Sequence, residues 1–478
     1  MFSEINEECG VFGIFENNRS DVASSAYFGL YALQHRGQES CGIAVCDDGI
    51  FRHKRADGLV SEVFNREELK KLGYGNMAVG HVRYSTTGGH SHNNIQPLVI
   101  RHIKGNMALV HNGNLVNATE LRRKSEMSGA IFHGTSDTEA IAYEIVRERL
   151  DCNSTEESVE RAMPRLKGAY SCVLMTATKL IAFRDPHGFR PLCIGKTHDG
   201  AYIVASESCV LETLGAEFIR DIDAGEILII SSKGTRSIRT HCTDRSDICI
   251  FEYIYFARPD SVIDGVSVHY ARIKAGEILA ENSPCDADVV IGVPDSGLDS
   301  ALGYSQKSGI PYGIGFIKNK YIGRSFIQPE QHQRENAVKI KLNVIRETVA
   351  GKRVVMIDDS IVRGTTSARI VKLLRDAGAK EVHVRISSPP FIHSCYFGTD
   401  IDSEENLIAG KYSSVQEIAQ FIGADSLAYL PADCLGKLIG KESGYCNGCF
   451  TGIYPVDVSG AGSKNKFDQK IHRKQNNL

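Results

Sequence analysis

The 478-residue sequence predicts two domains of different fold class, an α+β domain over 9–235 and an α/β domain over 236–455. Two observations support this prediction. The first half contains many short segments of alternating apolar and polar residues and few helices, which is typical of sheets packed on each other with helices outside. The second half alternates strands with helices, which is typical of a mostly parallel sheet. Residues 1–8 and 456–478 lie outside both predicted domains.

Composition favours an ordinary globular protein. The chain is 42% hydrophobic and its formal net charge is −3, which does not favour nucleic acid as a partner. No apolar run approaches the roughly 20 residues of a membrane helix, and the acidic N-terminus lacks the basic region of a signal peptide. We therefore expect a cytoplasmic protein with no membrane partner, and the polar tail over 456–478 is predicted to be disordered.

The elements of the first half follow from hydrophobic spacing. Helices are predicted over 21–33 and 137–150, because each opens with an acidic residue and continues with apolar residues at three-to-four spacing. Strands are predicted over 77–82, 107–111, 170–175, 180–184, 202–206 and 227–230.

Cys9 stands at the start of an apolar strand, close to the N-terminus. If residues 1–8 were removed as a propeptide, Cys9 would carry its own α-amino group, whose pKa of about 8 suits a general base. A buried structural cysteine is the alternative, because free cysteine is among the most buried residue types. On this residue alone, the structural cysteine is favoured.

Four further stretches favour the nucleophile: 34–39, 81–86, 111–114 and 134–139. Each has an ordinary structural interpretation, since an arginine in a strand suits an ion pair and Asn-Gly is a common hairpin turn. Together, in this order after Cys9, they resemble the N-terminal-nucleophile (class II) glutamine amidotransferases. That resemblance implies a four-layer αββα sandwich of the N-terminal-nucleophile hydrolase type.

The same resemblance implies a role for each matched residue. Cys9 would attack the side-chain amide of glutamine, while Arg83 would hold the α-carboxylate and Asp137 the α-ammonium group. Asn112 and the Gly113 N–H would form the oxyanion hole for the tetrahedral intermediate.

A strand, a turn and a helix are predicted over 352–378 in the second half. Residues 354–357 form an apolar run too short for a helix, and 367–377 have helical spacing before the stop at Gly378. The intervening backbone N–H groups would face an anion near the helix N-terminus. The turn has neither the ending of a Walker A loop nor the three glycines of a dinucleotide fingerprint.

Asp358 and Asp359 precede this turn and indicate what else the site would hold. Carboxylates beside a phosphate repel it unless they face sugar hydroxyls or a divalent cation, which indicates a phosphorylated ribose. A surface turn with solvated acids is the alternative. The stretch 355–366 resembles the phosphoribosyl pyrophosphate (PRPP) loop of type I phosphoribosyltransferases. The residues that this resemblance assigns to PRPP are Asp358, Asp359, Ser360, Arg363, Gly364, Thr365 and Thr366.

A second strand, 288–293, ends at Ser296 and its neighbours, which open another helix. Ligands of parallel sheets collect at the carboxyl ends of strands, so Ser296 and the Asp358–Asp359 pair are expected to share one crevice. The resemblance implies that these three residues engage Mg²⁺, pyrophosphate and ribose. The basic and polar stretch 318–341 predicts either a solvated surface loop or a lid that closes on pyrophosphate.

The aromatic segment 251–261 separates the two halves, and its spacing alone predicts a core strand. Combined with the motifs above, it resembles the domain junction of the amidophosphoribosyltransferase family, and this resemblance covers essentially residues 1–455. It implies a transferase that converts PRPP, glutamine and water to 5-phosphoribosylamine, glutamate and pyrophosphate, the first committed step of purine synthesis. A homotetramer and feedback inhibition by purine nucleotides are also implied.

Fourteen cysteines are scattered along the chain, most of them in apolar runs. Cys446 and Cys449 form a C-x-x-C pair, which suits a redox dithiol, half a zinc site or half an iron–sulfur site, and the pair leaves these open. Resemblance to the cluster-bearing branch of the family adds Cys249 and Cys395, which implies a four-iron, four-sulfur (4Fe–4S) cluster.

Two other functions compete with this interpretation. A hexosamine synthase or an asparagine synthetase would share the first half, but the loop over 358–366 argues against both. A regulator that binds PRPP or nucleotides without catalysis would need no nucleophile, so the retention of Cys9, Arg83, Asn112 and Asp137 argues against it.

Overall fold

The computed structural model describes residues 9–84, 92–319, 342–401 and 403–460. The predicted propeptide 1–8, the last residues of the motif over 81–86, most of the possible lid over 318–341 and the tail from 461 lie outside these residues. Within them, no helix is both long and apolar enough to span a membrane. We call the elements up to Ile238 the N-terminal domain and the following elements the C-terminal domain.

The N-terminal domain contains thirteen strands in the described residues, and seven helices join them. The strands are β1 (Gly10–Ser20), β2 (Ser40–Asp47), β3 (Ile50–Asp57), β4 (Gly75–Arg83), β5 (Leu98–Ile100), β6 (Met107–Leu115), β7 (Gly168–Thr176), β8 (Leu180–Arg184), β9 (Cys193–Thr197), β10 (Tyr202–Ala205), β11 (Ala216–Asp221), β12 (Ile227–Ser231) and β13 (Gly234–Ile238). The helices are α1 (Val22–Ala32), α2 (Val60–Val63), α3 (Arg66–Leu72), α4 (Ala118–Met127), α5 (Asp137–Asp151), α6 (Thr155–Ala162) and α7 (Cys209–Thr213). The predicted strands and both predicted helices are present.

Two sheets of this domain face each other. One has the strand order β11-β9-β10-β1-β4-β2-β3 and the other β13-β12-β8-β7-β6-β5. Val11, Phe15 and Val79 from the first sheet pack against Val110 and Val173 from the second, and all five are at most 3% exposed. This apolar layer forms because alternate residues of each strand point to the same face.

Helices cover the two outer faces. On one side, α1 packs Ala26 and Leu30 near Phe12 of the first sheet, and on the other α5 packs Ile141 and Ile145 against the second. The result is a helix, sheet, sheet, helix sandwich, which confirms the predicted four-layer class. The last strand, β13, ends at Ile238, just past the predicted boundary at 235.

The C-terminal domain alternates strands and helices, as predicted. Its strands are β14 (Ile248–Cys249), β15 (Val262–Ile263), β16 (Val266–Ser267), β17 (Val289–Gly292), β18 (Phe316–Lys318), β19 (Leu342–Val344), β20 (Arg353–Asp358), β21 (Glu381–Ile386), β22 (Ser426–Tyr429) and β23 (Tyr445–Cys446). Its helices are α8 (Val268–Asn282), α9 (Gly297–Ser308), α10 (Arg346–Val349), α11 (Thr365–Asp376), α12 (Ile408–Lys411), α13 (Val415–Ile422), α14 (Leu435–Leu438) and α15 (Gly448–Thr451).

The central sheet of this domain has the order β17-β20-β21-β22, and all of its pairs are parallel. Residues 354–357 of β20 are fully buried, because one face is covered by α8 and α9 and the other by α11 and α13. Beyond the sheet, Val456 and Val458 still pack against a small core cluster, although the predicted tail begins at 456.

The aromatic segment is not a strand, so that prediction was wrong. Glu252–Phe256 forms a short π-helix. Arg272 of α8 holds it by donating hydrogen bonds to the carbonyl oxygens of Tyr253, Tyr255 and Ala257 at 2.9, 3.0 and 2.7 Å. A buried segment that is apolar all round has the same residue pattern in a helix as in a strand, which is why the spacing misled.

The turn between β15 and β16 reaches the N-terminal domain. Both carboxylate oxygens of Asp264 accept hydrogen bonds from Arg184, at 2.9 and 3.1 Å. Asp221, at the end of β11, lies in the same cluster. Burial, reinforced by the Asp264 carboxylate, raises the pKa of Asp221 to about 7.

Asp221 should make the stability of the protein depend on pH. Its pKa in the folded state exceeds the unfolded value of about 3.9, so the folded state loses stability as the pH rises from about 4 to about 7. The neutral variant Asp221→Asn lacks this loss. Between pH 5 and pH 8, we expect its free energy of unfolding to rise relative to that of the parent by up to about 2.5 kcal/mol, which raises its thermal midpoint; this is an upper limit because some solvent contact remains.

Differential scanning fluorimetry at both pH values measures this difference. Asp199→Asn, in an exposed turn of the same domain, is the control and should follow the parent throughout. A constant difference between Asp221→Asn and the parent at the two pH values would contradict the assignment.

Candidate functional site

Cys9 lies at one edge of the first sheet. Because Gly10 of β1 pairs with Val82 of β4, Cys9 comes next to the end of β4, where Arg83 is 5% exposed. Its Sγ donates a hydrogen bond to the carbonyl oxygen of Tyr84 at 3.5 Å. The half-buried thiol and the buried guanidinium therefore lie at the same end of paired strands.

Asn112 and Gly113 lie on β6 of the facing sheet. Asn112 is 2% exposed, and its buried Nδ2 finds no hydrogen-bond acceptor among the described residues. Such a donor is costly to bury unless it has a partner at some stage of function. Gly113 has φ of 139°, and a Cβ there would lie 2.2 Å from the carbonyl oxygen of Ala169, so no other residue fits without displacing the backbone.

Hydrogen bonds tie these strands together. His81 Nε2 of β4 lies 3.0 Å from the carbonyl oxygen of His111 on β6, and burial lowers the pKa of His81 to about 3, so the imidazole is neutral. Asp137, the first residue of α5, accepts from the Leu115 N–H at 2.8 Å, and its other oxygen lies 3.6 Å from His111 Nδ1. Through these contacts the structure brings Cys9 and the other four predicted residues to one end of the sandwich.

In the C-terminal domain, the structure brings Ser296 and Asp359 together. Because β17 and β20 are adjacent and parallel, the residues that follow them meet, and Ser296 Oγ donates to Asp359 Oδ2 at 2.5 Å. Ser360 donates to the other oxygen of the same carboxylate. Asp358 and Asp359 are 8% and 4% exposed. Burial raises the pKa of Asp359, against the hydrogen bonds from the two serines, which lower it.

Gly364 is the N-cap residue of α11 and shapes the predicted phosphate turn. Its φ is 80°, and a Cβ there would lie 2.4 Å from Ile408 Cδ1, so the turn requires glycine. Thr365 and Thr366 are the first residues of the helix, where backbone N–H groups and the helix dipole favour an anion. Arg363 and Thr365 are exposed at the mouth of this turn.

A buried charge network between the domains was not predicted. Arg36 lies in the recognised motif over 34–39, but no interdomain role followed from the sequence. Its Nη1 and Nη2 donate to both carboxylate oxygens of Glu252 at 2.9 and 2.8 Å, and Nη1 also donates to Glu207 at 2.7 Å. A single acidic residue inside the apolar segment 251–256 was the available signal for such a partner.

Four cysteines line one cavity near the domain interface. Cys249 and Cys446 are register partners in the parallel pair β14 and β23, Cys449 lies on α15, and Cys395 belongs to the loop after β21. The atom-free space of this cavity is about 360 Å³, open solvent included. Its other lining residues are Phe189, Phe251, Phe397, Thr399, Ile401 and Tyr454.

Two thiols of this cavity, those of Cys446 and Cys449, are held in their neutral form. Burial, then the neighbouring Cys395, raises the pKa of Cys446 to about 12, and burial with Cys395, Cys249 and Cys446 raises the pKa of Cys449 well above its ordinary value. No three His, Cys, Asp or Glu side chains within the described ranges converge tightly enough to chelate a single ion. The four cysteines line a cavity and do not form a site for a single ion.

The loop that carries Cys395 also contacts the N-terminal site. Asn114 Nδ2 donates to the carbonyl oxygen of Tyr396 at 2.7 Å, and Gly398 packs against the backbone of Gly113. The cysteine cavity and the strand that carries Asn112 are therefore adjacent.

Comparisons with known proteins find a match to a family in each half of the chain. A glutamine amidotransferase domain model matches residues 81–213, and a phosphoribosyl transferase domain model matches residues 271–387. The amidophosphoribosyltransferase of Bacillus subtilis is 49% identical over 467 residues, which cover 96% of this chain and 97% of the relative.

Two solved structures are similar over nearly the whole chain. A structure of the allosteric regulatory enzyme of purine biosynthesis has a TM-score of 0.88 and 49% identity, and covers 94% of this chain and 97% of its own. The glutamine PRPP amidotransferase of B. subtilis, in complex with ADP and GMP, has a TM-score of 0.87 and 48% identity, and covers 94% and 98%. With this identity over this coverage, the chain belongs to the amidophosphoribosyltransferase family.

Proposed function

We propose that the protein converts PRPP, glutamine and water to 5-phosphoribosylamine, glutamate and pyrophosphate, the first committed step of purine synthesis. The observation that carries the proposal is that one chain holds two sets of groups. One is a half-buried thiol with a buried amide donor that has no acceptor among the described residues, and the other is a phosphate turn beside paired carboxylates. Cys9 and Asn112 form the first site, and Asp358, Asp359 and Gly364 form the second.

In the first site, Cys9 Sγ attacks the side-chain amide carbon of glutamine. After removal of residues 1–8, the α-amino group of Cys9 takes the thiol proton and passes it to the leaving nitrogen, so that ammonia departs. Asn112 Nδ2 and the Gly113 N–H donate hydrogen bonds to the oxyanion of the tetrahedral intermediate, which is where the orphaned amide donor finds its acceptor. Water then hydrolyses the thioester to glutamate.

Two charged groups place the substrate for this attack. Arg83, buried at the end of β4, offers a bidentate pair to the α-carboxylate of glutamine. Asp137 is fixed by the Leu115 N–H and offers a carboxylate to the α-ammonium group. Both groups hold glutamine with its side chain directed toward Cys9.

In the second site, ammonia attacks C1 of PRPP and pyrophosphate leaves. The N-terminal turn of α11 binds the 5′-phosphate through backbone N–H groups. Asp358 and Asp359 face the ribose hydroxyls, and with Ser296 they would hold Mg²⁺ on the pyrophosphate. Mg²⁺ usually retains waters and uses one or two carboxylates with substrate phosphates, so a closed protein cage is not required. The ion would supply charge neutralisation of the leaving group.

The four cysteines suit a 4Fe–4S cluster. Their convergence on one cavity with aromatic walls supplies the Cys₄ set that such clusters use, and the high thiol pKa values mean that a positive centre is needed to stabilise the thiolates. Cys249, Cys395, Cys446 and Cys449 would hold the cluster, which would tie β14, β23, α15 and the loop after β21 together.

The proposal includes regulation by nucleotides, the cellular compartment and the oligomeric state. Purine nucleotides are proposed as feedback inhibitors, because the similar B. subtilis enzyme was solved with ADP and GMP. Reduced thiols at Cys9 and at the cluster ligands favour the reducing cytoplasm. The homotetramer implied by the family stays a prediction.

The Cys9→Ala variant tests the first site. We expect loss of glutamine-dependent pyrophosphate release by at least about 1,000-fold, because the nucleophile is gone, while release driven by ammonium stays near the parent rate. Coupled pyrophosphate and glutamate assays measure both, and the intact mass of the parent should correspond to a chain starting at Cys9. A protein that binds PRPP yet forms neither product would contradict the proposal and favour a regulator.

The Asp359→Asn variant is the reciprocal test. Removal of one carboxylate charge should lower Mg²⁺-dependent pyrophosphate release by about 100-fold or more with either nitrogen source, because binding of the metal and ribose is weakened. Glutamate release measured without PRPP should change little. The exposed Asp425→Asn change, far along the same sheet, serves as the control. Equal loss of both activities in Asp359→Asn would point to misfolding instead.

Loss of a cluster ligand should remove iron. We expect Cys446→Ser, purified without oxygen, to lose most of its iron and the absorbance at about 400 nm that marks such clusters. Cys434→Ser, a buried cysteine outside the cavity, should keep both. Iron analysis and the visible spectrum provide the measurement, and a parent protein without iron would reject the cluster.

A further inference from the structure

A four-charge network is buried where the two domains meet. Arg36, Arg190, Glu207 and Glu252 contribute two positive and two negative side chains, each 0% exposed. Glu252 accepts from Arg36 on both oxygens and lies 3.4 Å from Arg190. Burial alone would raise the pKa of Glu207, yet its contacts with His35 and Arg36 lower it below its usual range. Glu207 is therefore ionised, and its charge is compensated within the interface by Arg36.

Arg36 connects this network to the thiol residue itself. While its two terminal nitrogens serve the carboxylates, Arg36 Nε donates to the main-chain carbonyl oxygen of Cys9 at 3.1 Å. The planar guanidinium cannot turn toward Cys9 independently of its carboxylate partners. Glu252 therefore fixes the orientation of the Arg36 guanidinium, and the guanidinium in turn holds the main chain of Cys9.

Glu252 belongs to the other domain and is itself firmly held. It opens the π-helix whose carbonyl oxygens accept from Arg272, on the helix that follows. Arg190 also donates to the carbonyl oxygen of Phe397 at 2.8 Å, and so links Glu252 to the loop that carries Cys395. The position of Glu252 therefore depends on the C-terminal domain being in place.

We propose that Glu252 is a positioning residue for the nucleophile: through Arg36, the C-terminal domain fixes the backbone of Cys9 and so makes the thiol competent toward glutamine. This inference rests on the proposed role of Cys9. The competing explanation is that the Arg36–Glu252 pair only stabilises the contact between the domains. The two explanations differ in whether loss of the pair slows the glutamine-dependent reaction selectively.

Neutralisation of Glu252 separates them. Glu252→Gln keeps the size of the side chain but leaves one acceptor oxygen, so the bidentate pair with Arg36 is lost and the guanidinium is free to reorient toward Glu207. Displacement of a reacting group by about 1 Å can cost about 100-fold in rate. Glutamine itself remains held by Arg83 and Asp137, so its KM should change little.

The experiment uses the full-length enzyme and two nitrogen donors. For Glu252→Gln we expect kcat with glutamine to fall by about 10- to 100-fold with KM for glutamine within about threefold, and pyrophosphate release with ammonium to stay within about twofold. Asp264→Asn is the matched control. It neutralises the carboxylate of a second interdomain ion pair, while Arg184 keeps its bonds to the carbonyl oxygens of Gly188, Arg190 and Ile222. The kcat of this variant with glutamine should remain near the parent value.

Three results would overturn the inference: a parent-like kcat of Glu252→Gln with glutamine, an equal loss with both nitrogen donors, or the same selective loss in Asp264→Asn. If Glu252→Gln does not fold, Glu252→Asp decides by the same two rates, since it keeps the charge but withdraws the carboxylate from Arg36. The Cys9→Ala variant separates the two claims. If it still uses glutamine, the proposed function fails, and if it does not while Glu252→Gln is parent-like, only this inference fails.

Discussion

The arrangement of the two domains depends on the buried ion pairs of the Arg36 guanidinium. The guanidinium lies between a carboxylate from each domain and the main chain of Cys9, with no exposed surface. A buried arginine without compensation is strongly destabilising. Loss of either carboxylate would leave the two buried arginines, Arg36 and Arg190, with one negative partner between them. The first site is therefore not a property of the N-terminal sandwich alone, because the main chain of Cys9, the proposed nucleophile, is bonded to an arginine that also pairs with the C-terminal domain.

Both candidate sites use the same principle of construction. Each collects residues at or near the ends of neighbouring strands. In the sandwich, Cys9 precedes β1, Arg83 ends β4 and Asn112 lies near the end of β6, while in the parallel sheet the residues that follow β17 and β20 bring Ser296 and Asp359 together. The glycines at 113 and 364 allow backbone shapes that a side chain would block.

The cysteine cavity lies beside both features. Its walls include Phe397, whose carbonyl oxygen accepts from Arg190, and the neighbouring Gly398 touches Gly113. A group held there would stiffen the loop from which these contacts come. The interface between the domains thus has an electrostatic part around Arg36 and a packed part around the cavity, and the two meet at Arg190.

Sequence patterns were sufficient for the two fold classes and for the strands and helices with clear periodicity, because hydrophobic spacing is a local property of the chain. They failed for the segment 251–256, where an apolar run fits a strand and a buried helix equally. Glu252 is the single acidic residue of that run, but the patterns did not identify Arg36 as its partner. By itself, the sequence determined which groups are available for chemistry. The tertiary structure alone decided which of them share a buried environment, because partners 216 positions apart are selected by packing and charge compensation and not by spacing.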